Sequence, residues 1–503
     1  MNVKNENTIN EAFKISEELI RARNYEVDQQ KGISAVCRPV FHFSSPVGWL
    51  NDPNGFSVYQ REYHLFYQYH PYSTQWGPMH WGHCKSIDFI RWEQLPAALA
   101  PDSEFDRIGC FSGSAVQEEG NHILMYTGVA EKMNEDGTST VIQEQCIAVG
   151  NGVNYVKTEN NPVITADMLP YGSSFFDFRD PKIWKEDGIF YAIIGNRNED
   201  GSGQLAVFQS ENALEWRFMN IIDKNNNEYG RMWECPDFFT LGEKQIIILS
   251  PQEMKAKDFE YHNGNGTMCF IGKYNHTENV FIRENNHAID YGLDFYAPQT
   301  LMTEDGRRVM IAWMQNWDNY LTPDYLKWSG MMTIPRELTL RDGRLIQNPV
   351  KEIARYYKNE ISYINHKIRG KERLNSISGR IIDMTVEIKK MQCDIFRIFL
   401  AENQEYKTSV SFDTKRNILS FNRNYSGFTK DIVGDRKIVV RNQESKLKLR
   451  ILLDKYSIEI FVNDGEQAMT SLIYTPQEAD GIVFETENGT AVIDVTKFDI
   501  IVD

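Results

Sequence analysis

The sequence lacks the features of a secreted or membrane-embedded protein. Its seven cysteines form an odd set without a CxxC pair, which indicates reduced thiols rather than a disulfide framework. Residues 1–24 contain no basic start, apolar run and small-residue cleavage site of a secretory signal. No apolar run approaches the ~20 residues that a membrane span needs. These absences predict a cytoplasmic protein that has no membrane partner.

Positive charge is also scarce. The chain has 54 Lys and Arg against 70 Asp and Glu, a formal net charge of −16. A phosphate backbone needs a basic surface, so this balance excludes nucleic acid as a partner. No Lys/Arg cluster marks a pocket for a phosphorylated sugar, whereas small neutral substrates remain compatible with the charge.

Length and composition favour two globular domains. The 503 residues exceed what one hydrophobic core usually supports. Hydrophobic residues make up 41% and aromatic residues 12%, which is typical of a folded chain. Aromatic rings suit sugar binding, although they fill cores more often.

Three acidic residues stand beside proline in separate stretches of the chain. The first stretch runs from Trp49 to Gly55, and its Pro53 excludes Asp52 from the helical region while Asn54-Gly55 supplies a turn. The others are Arg179-Asp180-Pro181 and Glu234-Cys235-Pro236. A single Asp-Pro pair is common in loops, but three such acids in one chain indicate a functional site.

These three stretches, in this order, resemble the invertase and fructan-hydrolase family of glycoside hydrolases, the β-fructofuranosidases. The resemblance runs from about Val36 to the C-terminus. It extends to the segments Phe66-Tyr67-Gln68-Tyr69, Trp76 to His83, Phe111-Ser112-Gly113-Ser114 and Asp294 to Gln299.

Five apolar runs recur along residues 37–340, where helical periodicity is nearly absent. They begin at Tyr63, Ile123, Ile189, Ile246 and Val309, 57 to 66 residues apart. Near-equal units of this length fit four strands with long loops, so the pattern predicts a five-bladed β-propeller. The resemblance implies the same fold.

Five polar or aromatic residues precede these runs by a similar number of positions, 9 to 13. They are Asp52, Ser112, Asp180, Glu234 and Tyr296. Because equivalent positions of successive blades lie around one axis, we expect them to converge at one end of the central channel.

The regions before and after the repeat have different sequence patterns. Thr8 and Glu11 form a capping-box pattern ahead of an amphipathic face that ends at Leu19 and Ile20, which predicts a short N-terminal helix packed on the main domain or used in subunit contact. From Ile361 onward, alternating segments predict a β-sandwich. The predicted all-β organisation is an N-terminal extension over 1–35, a propeller over 36–340, a linker containing a short helical connector over 341–360, and a sandwich over 361–503. The resemblance implies a structural role for the sandwich or a homodimer through it.

A retaining glycosidase needs one ionised carboxylate as nucleophile and one carboxylic acid to protonate the leaving oxygen. The resemblance implies that Asp52 is the nucleophile and Glu234 the general acid and base. We expect donors to hold Asp52 ionised, and desolvation or a nearby negative charge to act on Glu234. Asp180 is implied to bind two sugar hydroxyls and stabilise the transition state, with Arg179 beside it. The resemblance also assigns the pocket lining to Asn51, Gln68, Trp76, Phe111, Ser112, Asp294, Tyr296 and Trp313.

No cofactor or metal is predicted. His80 and His83 have no third ligand at a convincing spacing, and Cys235 has no His/Asn arrangement that would make it a nucleophile; it is expected to be a buried neighbour of Glu234. The predicted reaction is hydrolysis of terminal non-reducing β-D-fructofuranoside bonds in sucrose, sucrose 6-phosphate or short fructo-oligosaccharides. Alternatives are fructosyl transfer, an inverting hydrolase of related propeller type, and a catalytically silent propeller that binds sugar or protein.

Overall fold

The protein is described by a computed structural model that covers residues 15–134, 136–319, 321–440 and 446–502. Its helix α1, Glu17–Gln30, begins after Ser16, whose hydroxyl accepts a hydrogen bond from the backbone N–H of Leu19 at 3.1 Å. Leu19 is buried against Ala97 and Ala100 of the main domain. The helix therefore packs on the main domain, while the predicted capping box at Thr8 and Glu11 lies outside the described residues.

The main domain is a five-bladed β-propeller, as the repeat predicted. Its first blade contains β1 Gly48–Tyr59, β2 Glu62–His70, β3 His80–Ser86 and β4 Glu93–Leu99. The second contains β5 Gly109–Glu118, β6 Asn121–Met133, β7 Ser139–Gly150 and β8 Tyr155–Lys157. The third contains β9 Ser173–Glu186, β10 Ile189–Asn198, β11 Gly203–Ser210 and β12 Arg217–Lys224. The fourth contains β13 Trp233–Leu241, β14 Lys244–Pro251, β15 Met268–Asn275 and β16 Val280–Ala288.

The last blade closes the ring. Its region supplies β17 Tyr296–Met302, β18 Arg308–Trp313, β19 Trp328–Ser329, β20 Arg336–Arg341 and β21 Arg344–Pro349. The blade itself is formed by β17, β18, β20 and β21, whereas β19 pairs in parallel with β1 of the first blade. The five apolar runs of the sequence repeat are the second strands of the blades: β2, β6, β10, β14 and β18.

The first strands of the blades line the central channel and share one irregularity. In each, the pairing with the second strand shifts register near the same level. The shifts fall between Leu50 and Pro53, Phe111 and Gly113, Arg179 and Lys182, Glu234 and Asp237, and Tyr296 and Gln299. A bulge bends its strand and redirects the extra side chain. Proline contributes no donor to the ladder, which is compatible with the Asp-Pro and Cys-Pro pairs at the bulges of the first, third and fourth blades.

The C-terminal domain is a β-sandwich, as predicted. Its strands are β22 Tyr357–Glu372, β23 Ile382–Gln392, β24 Ile395–Glu402, β25 Lys407–Asp413, β26 Ile418–Tyr425, β27 Asp435–Val439, β28 Leu447–Asp454, β29 Ser457–Val462, β30 Gln467–Leu472 and β31 Gly481–Ile500. The long β31 pairs with β24 over 481–487 and with β23 over 490–499, so it runs through both layers. The alternating segments read from the sequence are half-buried strands of these layers.

The two domains meet through buried charges as well as apolar packing. Arg336 of β20 binds Glu459 of β29 at 2.5 Å and Asp290 at 3.0 Å. His42 lies 2.9 Å from both Glu459 and Asp454. Charges removed from water need such partners, because an unpaired buried ion is costly. The sandwich therefore forms a fixed wall against the propeller.

The connection between the domains is shorter than the predicted linker over 341–360. Residues 344–349 form β21 of the fifth blade, and β22 begins at Tyr357, which leaves a 3₁₀ helix at Lys351–Tyr356 as the connector. Residues 344–349 do not alternate between apolar and polar side chains and end in proline, so the sequence gives no clear strand pattern there. Within the described residues, no helix is long and apolar enough to cross a membrane.

Candidate active site

The bulges bring the three predicted acids together at one end of the channel. Asp52 lies on β1, Asp180 on β9 and Glu234 on β13. All three are within one network of side-chain contacts, although the sequence separates Asp52 from Cys235, the neighbour of Glu234, by 183 residues. The shared phase of the repeat had predicted this convergence.

Within the described part of the chain, Asp52 is hydrogen-bonded through only one of its two carboxylate oxygens. Its Oδ2 accepts hydrogen bonds from the Ser112 hydroxyl at 2.9 Å and from the Cys235 thiol at 3.5 Å. Its Oδ1 is buried and has no hydrogen-bond partner among the described residues. Buried polar atoms are normally satisfied, so an unpartnered carboxylate oxygen inside a channel indicates an atom reserved for a ligand.

Cys235 joins two of the acids. Its backbone N–H donates to Asp180 Oδ2 at 3.0 Å, and its thiol lies 3.6 Å from the same oxygen. Both Asp180 and Cys235 have positive φ, 67° and 47°, immediately before proline. Non-glycine residues adopt this region rarely, at a cost of roughly 1 to 3 kcal/mol each, and such strain concentrates at functional sites. The strained bulges therefore fix the directions in which the side chains of Asp180 and of Glu234, the neighbour of Cys235, leave the backbone.

Glu234 is bound from two sides. Oε1 accepts hydrogen bonds from Nε and Nη2 of Arg179, at 3.0 and 2.9 Å. Oε2 accepts a hydrogen bond from the Tyr296 hydroxyl at 2.6 Å. Arg179 is in turn held by Asp177 at 2.8 Å and Gln143 at 3.2 Å. The third, fourth and fifth blades thus combine to orient this one carboxyl group.

Burial dominates the electrostatics of the acids. It raises the pKa of Asp52 to about 6, with a further contribution from the negative charge of Glu234, and the donors Asn51, Ser112 and Cys235 only partly oppose the rise. Burial also raises the pKa of Asp180, against the opposing influence of Arg179. The expected donors to Asp52 are present, but desolvation outweighs them. Asp52 is still mostly ionised at neutral pH.

The two tryptophans expected in the pocket differ in exposure. Trp76 is 47% exposed and packs edge-on against Phe111, with ring centroids 6.1 Å apart. Trp313 is fully buried, 5.9 Å from Trp49 and 5.0 Å from Trp317, and its Nε1 has no partner among the described residues. Trp76 is thus a residue of the rim, and Trp313 is a core residue that keeps one unused donor.

Asn51 and Gln68 are buried beneath this wall. Asn51 Oδ1 accepts a hydrogen bond from Trp49 Nε1 at 2.7 Å, which fixes the residue next to Asp52. Gln68 Nε2 donates to the Cys110 carbonyl at 3.0 Å, beside the strand that carries Phe111 and Ser112. Both side chains support the walls of the pocket from neighbouring strands.

Asp294, which was expected near the sugar, contacts the sandwich through one oxygen, whereas its Oδ1 is buried without a hydrogen-bond partner among the described residues. Its carboxylate faces the sandwich, where Oδ2 accepts hydrogen bonds from Arg423 at 2.5 Å and from the Leu472 backbone N–H at 2.8 Å. A fully buried carboxylate needs a cation, and the nearest one here is on the other domain. The sequence motif identified the residue but could not indicate the domain contact.

Several residues of the network were not predicted from the sequence. Asp177 and Gln143 bind Arg179, and the Thr127 hydroxyl accepts a hydrogen bond from the Asp180 backbone N–H at 2.9 Å. The Ser250 carbonyl lies 3.1 Å from the Tyr296 hydroxyl. Thr127 follows the predicted apolar run of the second blade directly, so its position was the one available signal.

The two histidines that were considered as metal ligands each lie beside another partner. His80 Nδ1 lies 3.0 Å from the Pro78 carbonyl, and His83 Nε2 lies 2.9 Å from His64 Nδ1. Among the described residues, no group of three or more His, Cys, Asp or Glu has the arrangement of a metal site.

Two domains of one protein family match successive parts of the chain. Residues 42–349 match the description "Glycosyl hydrolases family 32 N-terminal domain", and residues 352–501 match "Glycosyl hydrolases family 32 C terminal". The division falls between β21 and β22, at the 3₁₀ connector. The matches therefore follow the propeller and the sandwich.

Named relatives and solved structures agree with these matches. The chain is 35% identical over 499 residues to a sucrose-6-phosphate hydrolase of Zymomonas mobilis, with 95% of each chain covered. It is 34% identical to a raffinose invertase of Escherichia coli, with 90% of this chain and 93% of the relative covered.

The fold also matches a β-fructofuranosidase of Bombyx mori, with a TM-score of 0.81, 32% identity, and 95% of this chain and 98% of that one covered. A sucrose-6-phosphate hydrolase structure from Lactobacillus gasseri gives a TM-score of 0.84 at 28% identity, with 95% and 96% covered. The resemblance carried by the motifs is confirmed, and the chain belongs to glycosyl hydrolases family 32.

Proposed function

We propose that this protein is a retaining β-fructofuranosidase, which hydrolyses the terminal non-reducing β-D-fructofuranoside bond of sucrose-type substrates. The observation that carries the proposal is the state of Asp52. One oxygen is fixed by Ser112, and the other is buried without a partner at the end of the channel where Asp180 and Glu234 also lie.

In the first step, Oδ1 of Asp52 attacks the anomeric carbon of the fructosyl unit while Glu234 donates a proton to the leaving glycosidic oxygen. This forms a covalent fructosyl ester on Asp52 and releases the aglycone sugar. In the second step, Glu234 removes a proton from water, which attacks the same carbon and frees Asp52. Two displacements at one carbon retain its configuration.

Other residues serve the charge that develops on the sugar. The carboxylate of Asp180, fixed by the Cys235 N–H, is available to two sugar hydroxyls and stabilises the cationic transition state. Arg179 holds Glu234 in place through two hydrogen bonds. The unused Nε1 of Trp313 provides a donor for another sugar hydroxyl. Trp76 and Phe111 offer ring faces at the rim.

The proposal also concerns the aglycone, the part of the substrate that leaves when the fructosyl bond is cleaved. Relatives are named both sucrose-6-phosphate hydrolase and raffinose invertase, so sucrose, its 6-phosphate and a fructosyl trisaccharide are all proposed substrates. A comparison of kcat/KM for these three substrates ranks them.

Because all seven cysteines are free, we place the reaction in the reducing cytoplasm. A homodimer through the sandwich stays a prediction that sedimentation can measure.

The decisive experiment combines products with variants. With sucrose in dilute methanol, the enzyme is expected to form methyl β-D-fructofuranoside, the product of retention, alongside fructose. Asp52→Asn and Glu234→Gln are each expected to lose most turnover while unfolding at nearly the wild-type temperature. The matched control is Asp223→Asn, which alters a carboxylate on β12 that pairs with Arg283 on β16, the strands of the third and fourth blades that are farthest from the channel. Near-normal hydrolysis by either site variant, or the α-anomer as product, contradicts the proposal. At high sucrose, a fructosyl trisaccharide among the products indicates transfer as the second activity.

A further inference from the structure

The short segment that connects the fourth blade to the fifth is attached to the edge of the sandwich. In residues 290–294, the backbone N–H of Tyr291 donates to the Ala468 carbonyl at 2.8 Å, and that of Leu293 donates to the Thr470 carbonyl at 2.8 Å. Asp290 accepts from the Thr470 N–H at 2.9 Å. At Gly292 a Cβ atom would lie 2.1 Å from the Thr470 carbonyl oxygen, so only glycine permits this approach. The segment thus pairs with β30 of the other domain.

One buried ion pair anchors the end of this segment. Arg423 of β26 and Asp294 are 2% and 0% exposed, and Arg423 Nη1 lies 2.5 Å from Asp294 Oδ2. The same nitrogen donates to the Leu472 carbonyl at 2.8 Å, and the Leu472 N–H donates back to Asp294. Loss of one partner would leave the other charge buried without compensation. The position of Asp294 is therefore set by the sandwich.

Two residues beyond Asp294, the chain presents Tyr296 to the active site. The Tyr296 hydroxyl donates to Glu234 Oε2 at 2.6 Å, and its ring is fully buried. Phe295, between them, packs under the Arg336 guanidinium at 4.9 Å. The short path leaves little freedom for Tyr296 to move independently of Asp294.

We propose that Asp294 and Arg423 are positioning residues, through which the C-terminal domain holds Tyr296 against the carboxyl group of Glu234. The inference rests on the proposed function, because it assigns an effect on the general acid and base. It gives the sandwich a part in the reaction although none of its residues touches the acids in the contacts described.

The expected effect follows from the groups that face Glu234. They are Arg179 and Asp180 of the third blade, Asp52 of the first, Cys235 beside it and Tyr296 of the fifth. Tyr296 donates to Oε2 of Glu234, so its loss removes one of the two contacts that orient this carboxyl group. The carboxyl group must face the leaving oxygen in the first step, and Tyr296→Phe is therefore expected to lower kcat with little change in KM.

The test uses the full chain with Asp294→Asn and Arg423→Gln, which preserve side-chain size or hydrogen bonding and remove one charge each. Both variants are expected to lower kcat by about 10- to 100-fold, since small misplacements near a reacting group cost that much. Both should leave KM nearly unchanged, as Tyr296→Phe does. The double variant Tyr296→Phe/Asp294→Asn should lose no more kcat than Tyr296→Phe alone, because the effect passes through Tyr296.

The control is Arg450→Gln, which breaks a partly buried pair with Asp383 inside the sandwich. It is expected to lower the unfolding temperature without changing kcat. The proposal is overturned if folded Asp294→Asn and Arg423→Gln keep the wild-type kcat, or if Arg450→Gln lowers it equally. Failure of both site variants to fold also counts against it, since the pair would then be purely structural. Absence of fructoside hydrolysis in the wild type would instead reject the proposed function.

Discussion

The hydroxyl of Ser112 donates to Oδ2 of Asp52 at 2.9 Å, across the boundary between the second and first blades. A donor from a neighbouring blade fixes which oxygen is used for support and which is left open. The bond also opposes the rise that burial causes in the pKa of Asp52. Ser112 thus links the propeller repeat to the ionisation of the nucleophile.

Ser112→Ala is expected to move the acid limb of the pH–activity profile upward. In the wild type, burial raises the pKa of Asp52 to about 6, so kcat/KM should fall as the pH drops through 6 and the nucleophile becomes protonated. Without the Ser112 donor the carboxylate is less stabilised, and protonation occurs at higher pH. The measurement is kcat/KM for sucrose between pH 4 and about 8, the range that contains this titration.

The matched control is Ser57→Ala on the strand of Asp52, where the hydroxyl donates to the Gly55 carbonyl instead. This variant should keep the wild-type acid limb. An unchanged or lowered acid limb in Ser112→Ala would contradict the assignment of Asp52 as the ionised nucleophile.

Glu234→Gln is expected to separate the two chemical steps. The variant cannot protonate a sugar leaving group, so kcat for sucrose should fall by about 10²- to 10⁴-fold, the usual contribution of general acid–base catalysis. β-D-Fructofuranosyl fluoride needs little proton transfer to lose fluoride, and should still form the fructosyl ester. Without a base to activate water, the ester should accumulate. Intact mass and peptide mapping are expected to find one fructosyl group, on Asp52. An adduct on Asp180, or none, would show that the roles are assigned wrongly.

Cys235 is expected to resist alkylation although it lies between two carboxylates. Burial, together with the charges of Asp180, Asp52 and Glu234, raises its pKa well above the usual value, so the reactive thiolate is not formed. Iodoacetamide at pH 8 should leave hydrolysis intact and modify the partly exposed Cys37 first. Peptide mapping after timed exposure provides the measurement. Rapid loss of activity with modification at Cys235 would refute this account.

The repeat in the sequence was sufficient to predict the propeller and the convergence of the acids. Five apolar runs of similar spacing are second strands, and Asp52, Asp180 and Glu234 precede their runs by nearly equal distances. Because the blades repeat one geometry, residues at a similar distance before the second strands lie at a similar height along the propeller axis. Proline one or two positions after each acid also marked places where a strand cannot continue its ladder, which are the observed bulges.

Contacts between domains could not be predicted in this way. Asp294 belongs to a motif of the propeller, yet its partner Arg423 lies on the sandwich, 129 residues away. No periodicity relates positions on two different folds. The pKa of Asp52 was equally beyond reach, since the sequence contains the donors but not the extent of burial that outweighs them.

A buried histidine pair in the first blade is expected to make folding sensitive to acid. His64 Nδ1 lies 2.9 Å from His83 Nε2, and His83 stacks on Phe66 at 3.9 Å. Two neutral rings can share one proton, whereas a second proton would place two donors face to face. Burial accordingly lowers the pKa of His64 to about 4 and that of His83 well below its usual value.

The unfolded chain binds these protons at pH values below about 6.5, where the folded protein does not. The free energy of unfolding should therefore be fully retained above pH 6.5 and fall as the pH drops toward 4. His64→Gln keeps a polar group but cannot take a proton. It should therefore reduce the loss of unfolding free energy between pH 6.5 and pH 4 by about 2 to 3 kcal/mol, since each pKa unit corresponds to about 1.4 kcal/mol. Urea titrations at a series of pH values give the slope. His276→Gln, at an exposed position, is the control that should leave it unchanged. An equal slope in His64→Gln and the wild type would contradict the assignment.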